Sequence, residues 1–568
     1  MSGTVSSGRE TTGKGRPPLA VPAAKTELLT RAAIALSIAN LCFLYIWGRL
    51  TGLVTNKEFS YYFLQRPPEQ SLIWALVVDI AILGLIAFGL LLLRKSQSWP
   101  LRTLATIVLG VICLFAIYQI YRVVNGWLYG VIATKLILAL HLAVAAVIVF
   151  LVVRSPKWAL IRAGGFFLVL SPLFFLLLGH GLWLYCGPNS RYFTRGHAAG
   201  PLPSTASDAR VIWIVFDEMD YRLSFPARPA RIHLPHFDAL RRTSLFGDHV
   251  KSPAHGTLPA TLSLILSKDI PRWQQVDTGS RPVRLLFSGC SRYTSIRSEP
   301  NIFERVRRLG YNAAVVGWYQ PYCRLFGSSL SACMTTLGMW GYEGFHNYLR
   351  PQPLWAKALY LAEWQGMQVP LKSSIRWIQI HPMPESPRMG RRIHIATMRL
   401  LMKESAHLLR NPNLNFVYLH FPVPHPPGIR DTKAQRFTTS ERSDYIDNLV
   451  LADRALGRVR QILEQTGDWD RSTILVSADH PFRPKTWLLG PSAPAEMIQD
   501  THRIWQPYIP FLLKLPGQKT GIEYHREFNS VLSANLLLAA LQGQIRTSAQ
   551  AVPWLDAHAA ASEEKVCR

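Results

Sequence analysis

Val211-Ile212-Trp213-Ile214-Val215-Phe216-Asp217-Glu218 is an unbroken apolar run that stops on two carboxylates. A run without polar alternation fits a strand buried on both faces, as in the sheet of an α/β domain. A second run, Ser472–Ser477, ends the same way in Ala478-Asp479-His480. Further strands are expected at Ala313–Gly317, Asn415–His420 and Pro510–Leu515. Amphipathic stretches between them predict helices at Asn301–Leu309, Ile393–Leu409, Asp444–Glu464 and Ser530–Leu541. Alternation of this kind predicts an α/β fold, whose ligands sit at the carboxyl ends of the strands. One Asp-Glu pair after a strand reads as a helix cap or a surface turn. Two strand ends, each followed by oxygen or imidazole ligands, point instead to a divalent cation.

A third element lies between them. His255-Gly256-Thr257-Leu258-Pro259-Ala260-Thr261-Leu262-Ser263 precedes an apolar run and reads as a turn entering a helix. Thr257 is an N-cap on one reading, and on another presents its hydroxyl where helix N–H groups bind an anion. Gly256 before it would let the backbone approach a ligand closely.

The chain upstream has a different character. Five apolar stretches, Ala32–Leu53, Leu72–Leu93, Leu104–Tyr121, Ile132–Val153 and Gly164–Tyr185, are each about long enough to cross a hydrocarbon core of roughly 30 Å. Lys14, Arg16, Lys25 and Arg31 precede the first. Arg94, Lys95 and Arg102 separate the second from the third, and Arg154, Lys157 and Arg162 the fourth from the fifth. The other two loops are poorer in cations. This alternation predicts an N-terminus inside and everything after Tyr185 outside. The expected layout is a tail at 1–30, a five-helix transmembrane domain at 31–186, a linker at 187–210, a catalytic domain at 211–545 and a tail at 546–568. Asp79 and His141 fall inside spans, where ionisable groups are functional candidates. The stretch 341–390, rich in Trp, Pro and Tyr, reads as a linker, a cap or a segment beside the bilayer.

Of 568 residues 17% are charged, and Lys plus Arg outnumber Asp plus Glu by 62 to 35. The 49% hydrophobic content excludes a disordered chain. No nucleic-acid module is visible and no nucleic-acid partner is expected. The basic excess fits a membrane protein near anionic lipid, or a domain handling phosphate-bearing substrates. Cys323 and Cys333 are close enough to close a disulfide loop, with free thiols the alternative.

The order strand–Asp-Glu, Thr-x-Pro, strand–Asp-His resembles the alkaline phosphatase superfamily in its sulfatase-like branch. Thr257-Leu258-Pro259-Ala260-Thr261 is similar to the sulfatase Cys/Ser-x-Pro-Ser-Arg motif, with Thr at the first place and Thr261 in place of Arg. Threonine cannot become formylglycine, which disfavours sulfate-ester hydrolysis. Threonine here resembles the five-span membrane phosphoethanolamine and phosphoglycerol transferases and lipoteichoic acid synthases, and also the nucleotide pyrophosphatase/phosphodiesterases. The runs Tyr445–Gly457, Gly467–His480 and Trp505–Gly517 resemble the transferase branch, although Pro481 stands where Gly usually follows Asp-His.

The resemblance implies a three-layer α/β domain and one divalent metal, Zn or Mn, held by Asp217 and/or Glu218, Asp479, His480 and Thr257. Thr257 would be the nucleophile. His425 and His502 would bind phosphate, protonate a leaving group or hold a second metal, with His420 a weaker candidate and His255 a neighbour of the nucleophile rather than a ligand. The expected activity is transfer of a phospho-alcohol group from a membrane phospholipid to an envelope lipid or glycan, with the catalytic domain on the outer side of the cell membrane. Alternatives are a phosphodiesterase of the same superfamily and a non-catalytic glycan- or lipid-binding protein.

Overall fold

The computed structural model describes residues 23–47, 50, 70–128, 165–170, 172, 176, 179, 198–203, 209–275, 283–296, 299–336, 351–366, 387–440, 442–483 and 507–559. Two compact units emerge, one of residues 1–48 and 76–181, the other of 49–75 and 182–568.

In the first unit the helices are α1 (Ala23–Cys42), α2 (Gln70–Leu93, whose first turn belongs to the second unit) and α3 (Trp99–Leu128). Gln70–Leu93 and Trp99–Arg122 are long and apolar enough to cross a membrane. They cover the second and third expected spans. The first overlaps α1, the fourth lies outside the described residues, and the fifth is described only in part. Asp79 is buried in α2 with Oδ2 unpartnered; His141 is outside the described residues.

The second unit is built on an eight-stranded sheet. Its strands are β1 (Arg210–Asp217), β2 (Leu245–Gly247), β3 (Ala313–Trp318), β4 (Ala332–Thr336), β5 (Phe416–Pro424), β6 (Ser472–Ala478), β7 (Phe511–Lys514) and β8 (Ile522–Tyr524). They lie in the order β8-β2-β7-β6-β1-β5-β3-β4. All pairings from β6 to β4 are parallel, and β7 runs antiparallel to both its neighbours. Every residue of β1, β5 and β6 is buried, as their uninterrupted apolar runs require. Helices cover both faces. Pro387–Leu409 and Tyr445–Gln465 pack on β5 and on each other. On the other side Thr257–Leu266 (α4), Ile302–Arg308 (α5) and Ser533–Leu541 pack together, the last against β1 and β6.

Local chemistry sets several boundaries. Asn301 caps Ile302–Arg308 by accepting from Glu304 N–H, and Asp444 with Asp447 forms a capping box on Tyr445–Gln465. Five of the eight strands coincide with expected runs. The three that do not, β2, β4 and β8, have five residues or fewer and carry no pattern of their own.

Cys323 and Cys333 are joined in a disulfide across a sequence separation of 10. A loop of that size contributes about 2–3 kcal/mol by restricting the unfolded chain. Alkylation without reductant should leave both residues unmodified, and reduction should lower the unfolding free energy by about that amount. Free reaction of both thiols would contradict the bridge.

Candidate metal and nucleophile site

Because β1 lies between β5 and β6, three strand ends meet at one edge of the sheet: Asp217-Glu218 from β1, His420 to His425 from β5, and Asp479-His480 after β6. Consecutive side chains of a strand face opposite ways. Here a bulge between Phe216 and Asp217, and a left-handed Glu218 at φ 67°, break that alternation. The Glu218 N–H donates to Asp479 Oδ1 (3.0 Å), its carbonyl accepts from the Tyr445 hydroxyl (2.8 Å), and its Oε1 accepts from Arg483 N–H (2.7 Å). These contacts hold a backbone conformation that is costly for a residue other than glycine. Asp217 and Glu218 thereby share one buried cluster with His425, and Asp217 shares a second with His420 and Asp479.

Thr257 is the first residue of α4, and Gly256 is its N-cap. The Thr257 hydroxyl makes no cap. It points at Asp217 Oδ2 and at His480 Nε2, each 3.3 Å away. Gly256 is extended, with open space where a side chain would stand. Buried Gln320, just past β3, fixes the first turn of α4, donating to Leu258 O (3.0 Å) and Thr261 Oγ1 (2.8 Å).

The histidine tautomers follow from their neighbours. His480 Nδ1 lies 2.9 Å from Pro481 O, and His425 Nδ1 lies 2.7 Å from Pro426 O. A carbonyl only accepts, so both Nδ1 atoms carry the proton and both Nε2 lone pairs face inward. His480 Nε2 is 3.5 Å from Asp217 Oδ1 and 3.6 Å from Asp479 Oδ2; His425 Nε2 is 3.9 Å from Glu218 Oε2. Asn448 steadies the His425 loop, donating to Pro424, His425 and Pro427 carbonyls.

The electrostatics ask for a cation. Burial, then the Asp479 charge, push Asp217 well above the usual carboxylate range. Burial takes Glu218 up to about 7 and raises Asp479. It also lowers His480 to about 3, His420 to about 4 and His425 well below its ordinary value, so all three are neutral at pH 7. Asp479 Oδ2, Glu218 Oε2 and His420 Nε2 are buried without a hydrogen-bond partner. Unpartnered buried acceptors beside neutral imidazoles fit a divalent cation bound through O and N.

Thr257, Asp217, Glu218, Asp479, His480 and His425 are therefore brought together, while His502 lies outside the described residues. Sequence reasoning ranked His420 low and did not single out Arg483. The first is oriented by the Tyr322 hydroxyl, 2.8 Å from its Nδ1. The second places Nε 3.6 Å from Glu218 Oε1. Position at a strand end was a signal for His420; for Arg483 there was none beyond nearness to His480. Tyr322→Phe should weaken divalent-cation binding about 10–100-fold, the usual cost of losing a group that orients a ligand. Calorimetric titration checks it, and an unchanged affinity would remove His420 from the cage.

A parallel-cored sheet between two helical layers gathers carboxylates and histidines around a helix-borne threonine. Residues 278–537 match the Sulfatase family model, and the chain carries a sulfatase-like domain. That match takes in His420, His425, Asp479 and His480; Asp217, Glu218 and Thr257 precede it. Similar solved structures include the phosphonate monoester hydrolase of Agrobacterium radiobacter (14% identity, 59% of this chain and 74% of that one, TM-score 0.35). Others are the lipoteichoic acid synthase LtaP from Listeria monocytogenes (12%, 60% and 75%, 0.35) and an alkaline phosphatase superfamily protein from Vibrio parahaemolyticus (12%, 61% and 69%, 0.35). No curated protein matches the chain in sequence.

Proposed function

We propose that the chain is a membrane-bound phosphotransferase that moves phosphoethanolamine or phosphoglycerol from a phospholipid to an envelope lipid or glycan through phospho-Thr257. The observation that carries this reading is the Thr257 hydroxyl, turned away from capping its helix and into a buried cage of carboxylates and neutral imidazoles. Threonine also excludes the formylglycine chemistry of sulfate-ester hydrolysis.

Asp217, Glu218, Asp479 and His480, with His420 or His425, would hold the cation, Zn or Mn on ligand chemistry. When bound, it supplies positive charge that favours the Thr257 alkoxide and neutralises phosphoryl oxygens. In the first half-reaction Thr257 Oγ1 forms a bond to phosphorus and the bond to the lipid glycerol oxygen breaks. Asp217 Oδ2 accepts the hydrogen bond of the Thr257 hydroxyl and is placed to take its proton, which then passes to the departing alcohol. The Thr257 and Leu258 N–H groups lack intrahelical partners and face the phosphoryl oxygens. In the second half-reaction an acceptor hydroxyl oxygen forms a bond to phosphorus and the bond from phosphorus to Thr257 Oγ1 breaks; the acceptor's proton goes to a neutral imidazole, with His425 Nε2 the candidate base, and from there to Thr257 Oγ1.

Mass spectrometry of the Thr257 peptide after incubation with phosphatidylethanolamine or phosphatidylglycerol tests the proposal. An added phosphoethanolamine or phosphoglycerol mass supports it, and no adduct with either lipid under turnover counts against it. Released phospho-alcohol with water as sole acceptor would make the same site a phosphodiesterase.

The proposed topology has five spans, an inside N-terminus and the catalytic domain outside. Reporter fusions after Tyr185 should be active only with an enzyme that works outside the cytoplasm. Cytoplasmic reporter activity there would reverse the orientation.

A further inference from the structure

Helix Leu354–Gly366 (α6) leaves apolar side chains of its first two turns exposed among the described residues, with exposed Glu363 ending that stretch one turn further on. Trp355 is 69% exposed and Leu359, one turn on, 62%, with Leu354 beside them. Lys357, Ala358, Tyr360, Leu361 and Gln365 on the other side are buried. Lys357 Nζ donates to Ser71 Oγ at 2.6 Å. Ser71 lies in the first turn of α2, and that turn, up to Ala75, belongs to the same compact unit as α6.

A membrane-crossing helix begins where the hydrocarbon begins, so Ser71 and half-exposed Trp74 mark the boundary between water and lipid. A helix tied to Ser71 lies within about one helix diameter, roughly 10–12 Å, of that boundary. We infer that α6 lies in the membrane interface, with Leu354, Trp355 and Leu359 immersed among lipid headgroups and upper acyl chains. The chemistry fits: indole and leucine side chains favour that level, and the only cation on the described face toward Ser71 is already bonded there. The inference rests on the proposed membrane location. It adds a second contact with lipid, contributed by the catalytic unit itself.

The full-length protein in phospholipid nanodiscs tests it. With Cys42, Cys113 and Cys567 replaced by alanine, nitroxide labels are placed singly by Trp355→Cys, Leu359→Cys, Leu85→Cys and Lys433→Cys. Leu85 is an exposed span residue and Lys433 an exposed residue of the catalytic domain. The ratio of oxygen to nickel-complex accessibility at 355 and 359 should exceed that at 433 several-fold and fall between that value and the one at 85. Ratios at 355 and 359 equal to that at 433 would overturn the inference. So would labels shielded from both reagents and dipolar-coupled between copies, because a second chain would then occupy the face. A water-accessible label at 85 would overturn it together with the membrane assignment, a failure distinguishable from that of α6 alone.

Discussion

Thr257→Ala is expected to lower turnover by about three orders of magnitude or more, the scale on which a nucleophile's loss is felt. The fold and cation binding should survive, because the hydroxyl caps nothing and is one contact among several in the cage. The covalent adduct should vanish with it. Thr257→Ser keeps the hydroxyl and should retain measurable turnover. Thr261, by contrast, spends its hydroxyl on Thr257 O at 2.6 Å, so Thr261→Ser should preserve the adduct. Native turnover by Thr257→Ala would transfer the attack to a solvent molecule and end the ping-pong scheme.

The second large effect has opposite signs with and without a cation. Asp479→Asn should abolish turnover and cation binding, yet raise the melting temperature of the cation-free protein at pH 8. Asp217, Glu218 and Asp479 are buried together and each is raised above its ordinary range. A carboxyl whose folded value exceeds its unfolded value stabilises fully below the unfolded value, and that contribution is lost as pH rises through the folded one. For Glu218, raised to about 7, the loss runs from about pH 4 to 7 and amounts to about 3 kcal/mol. Buried neutral His480, His420 and His425 act in the opposite sense as pH falls, so the carboxylate part is read as a difference: the gain of chelated Asp479→Asn over chelated wild type should be several degrees larger at pH 8 than at pH 5. Replacing Asp479 removes one charge from the crowd while Asn Oδ1 still accepts from the Glu218 and His480 N–H groups. An Asp479→Asn gain equal at pH 5 and pH 8 would show that the carboxylates are not mutually burdened.

Much of this site is legible in the sequence. β1, β5 and β6 are buried on both faces, so their apolar runs are unbroken and their ends are marked by the first charged or imidazole residues. Strand order was not legible, because nothing in the runs says that β1 lies between β5 and β6. Nor was the left-handed turn at Glu218, where a glutamate occupies a conformation usually left to glycine. Local pattern cannot report a strain that distant partners, Asp479 and Tyr445, impose. The reading of Thr257 as an N-cap failed for a related reason: Gly256 takes the cap, and residues far along the chain claim the hydroxyl. His420 looked like any buried strand histidine until Tyr322, from another strand's loop, was seen to orient it.

The central pairing of β1 with β6 joins Arg210–Phe216 to Ser472–Ala478. Such a separation makes core closure a late event, delayed until most of the domain has been synthesised. Under the proposed topology those segments cross the membrane unfolded and first meet on the far side. The cage thus has no existence in the compartment of synthesis and no means of loading there. Which ion it captures is then set by the supply at its destination, and the same polypeptide made with its spans removed and folded in the cytosol would sample a different pool.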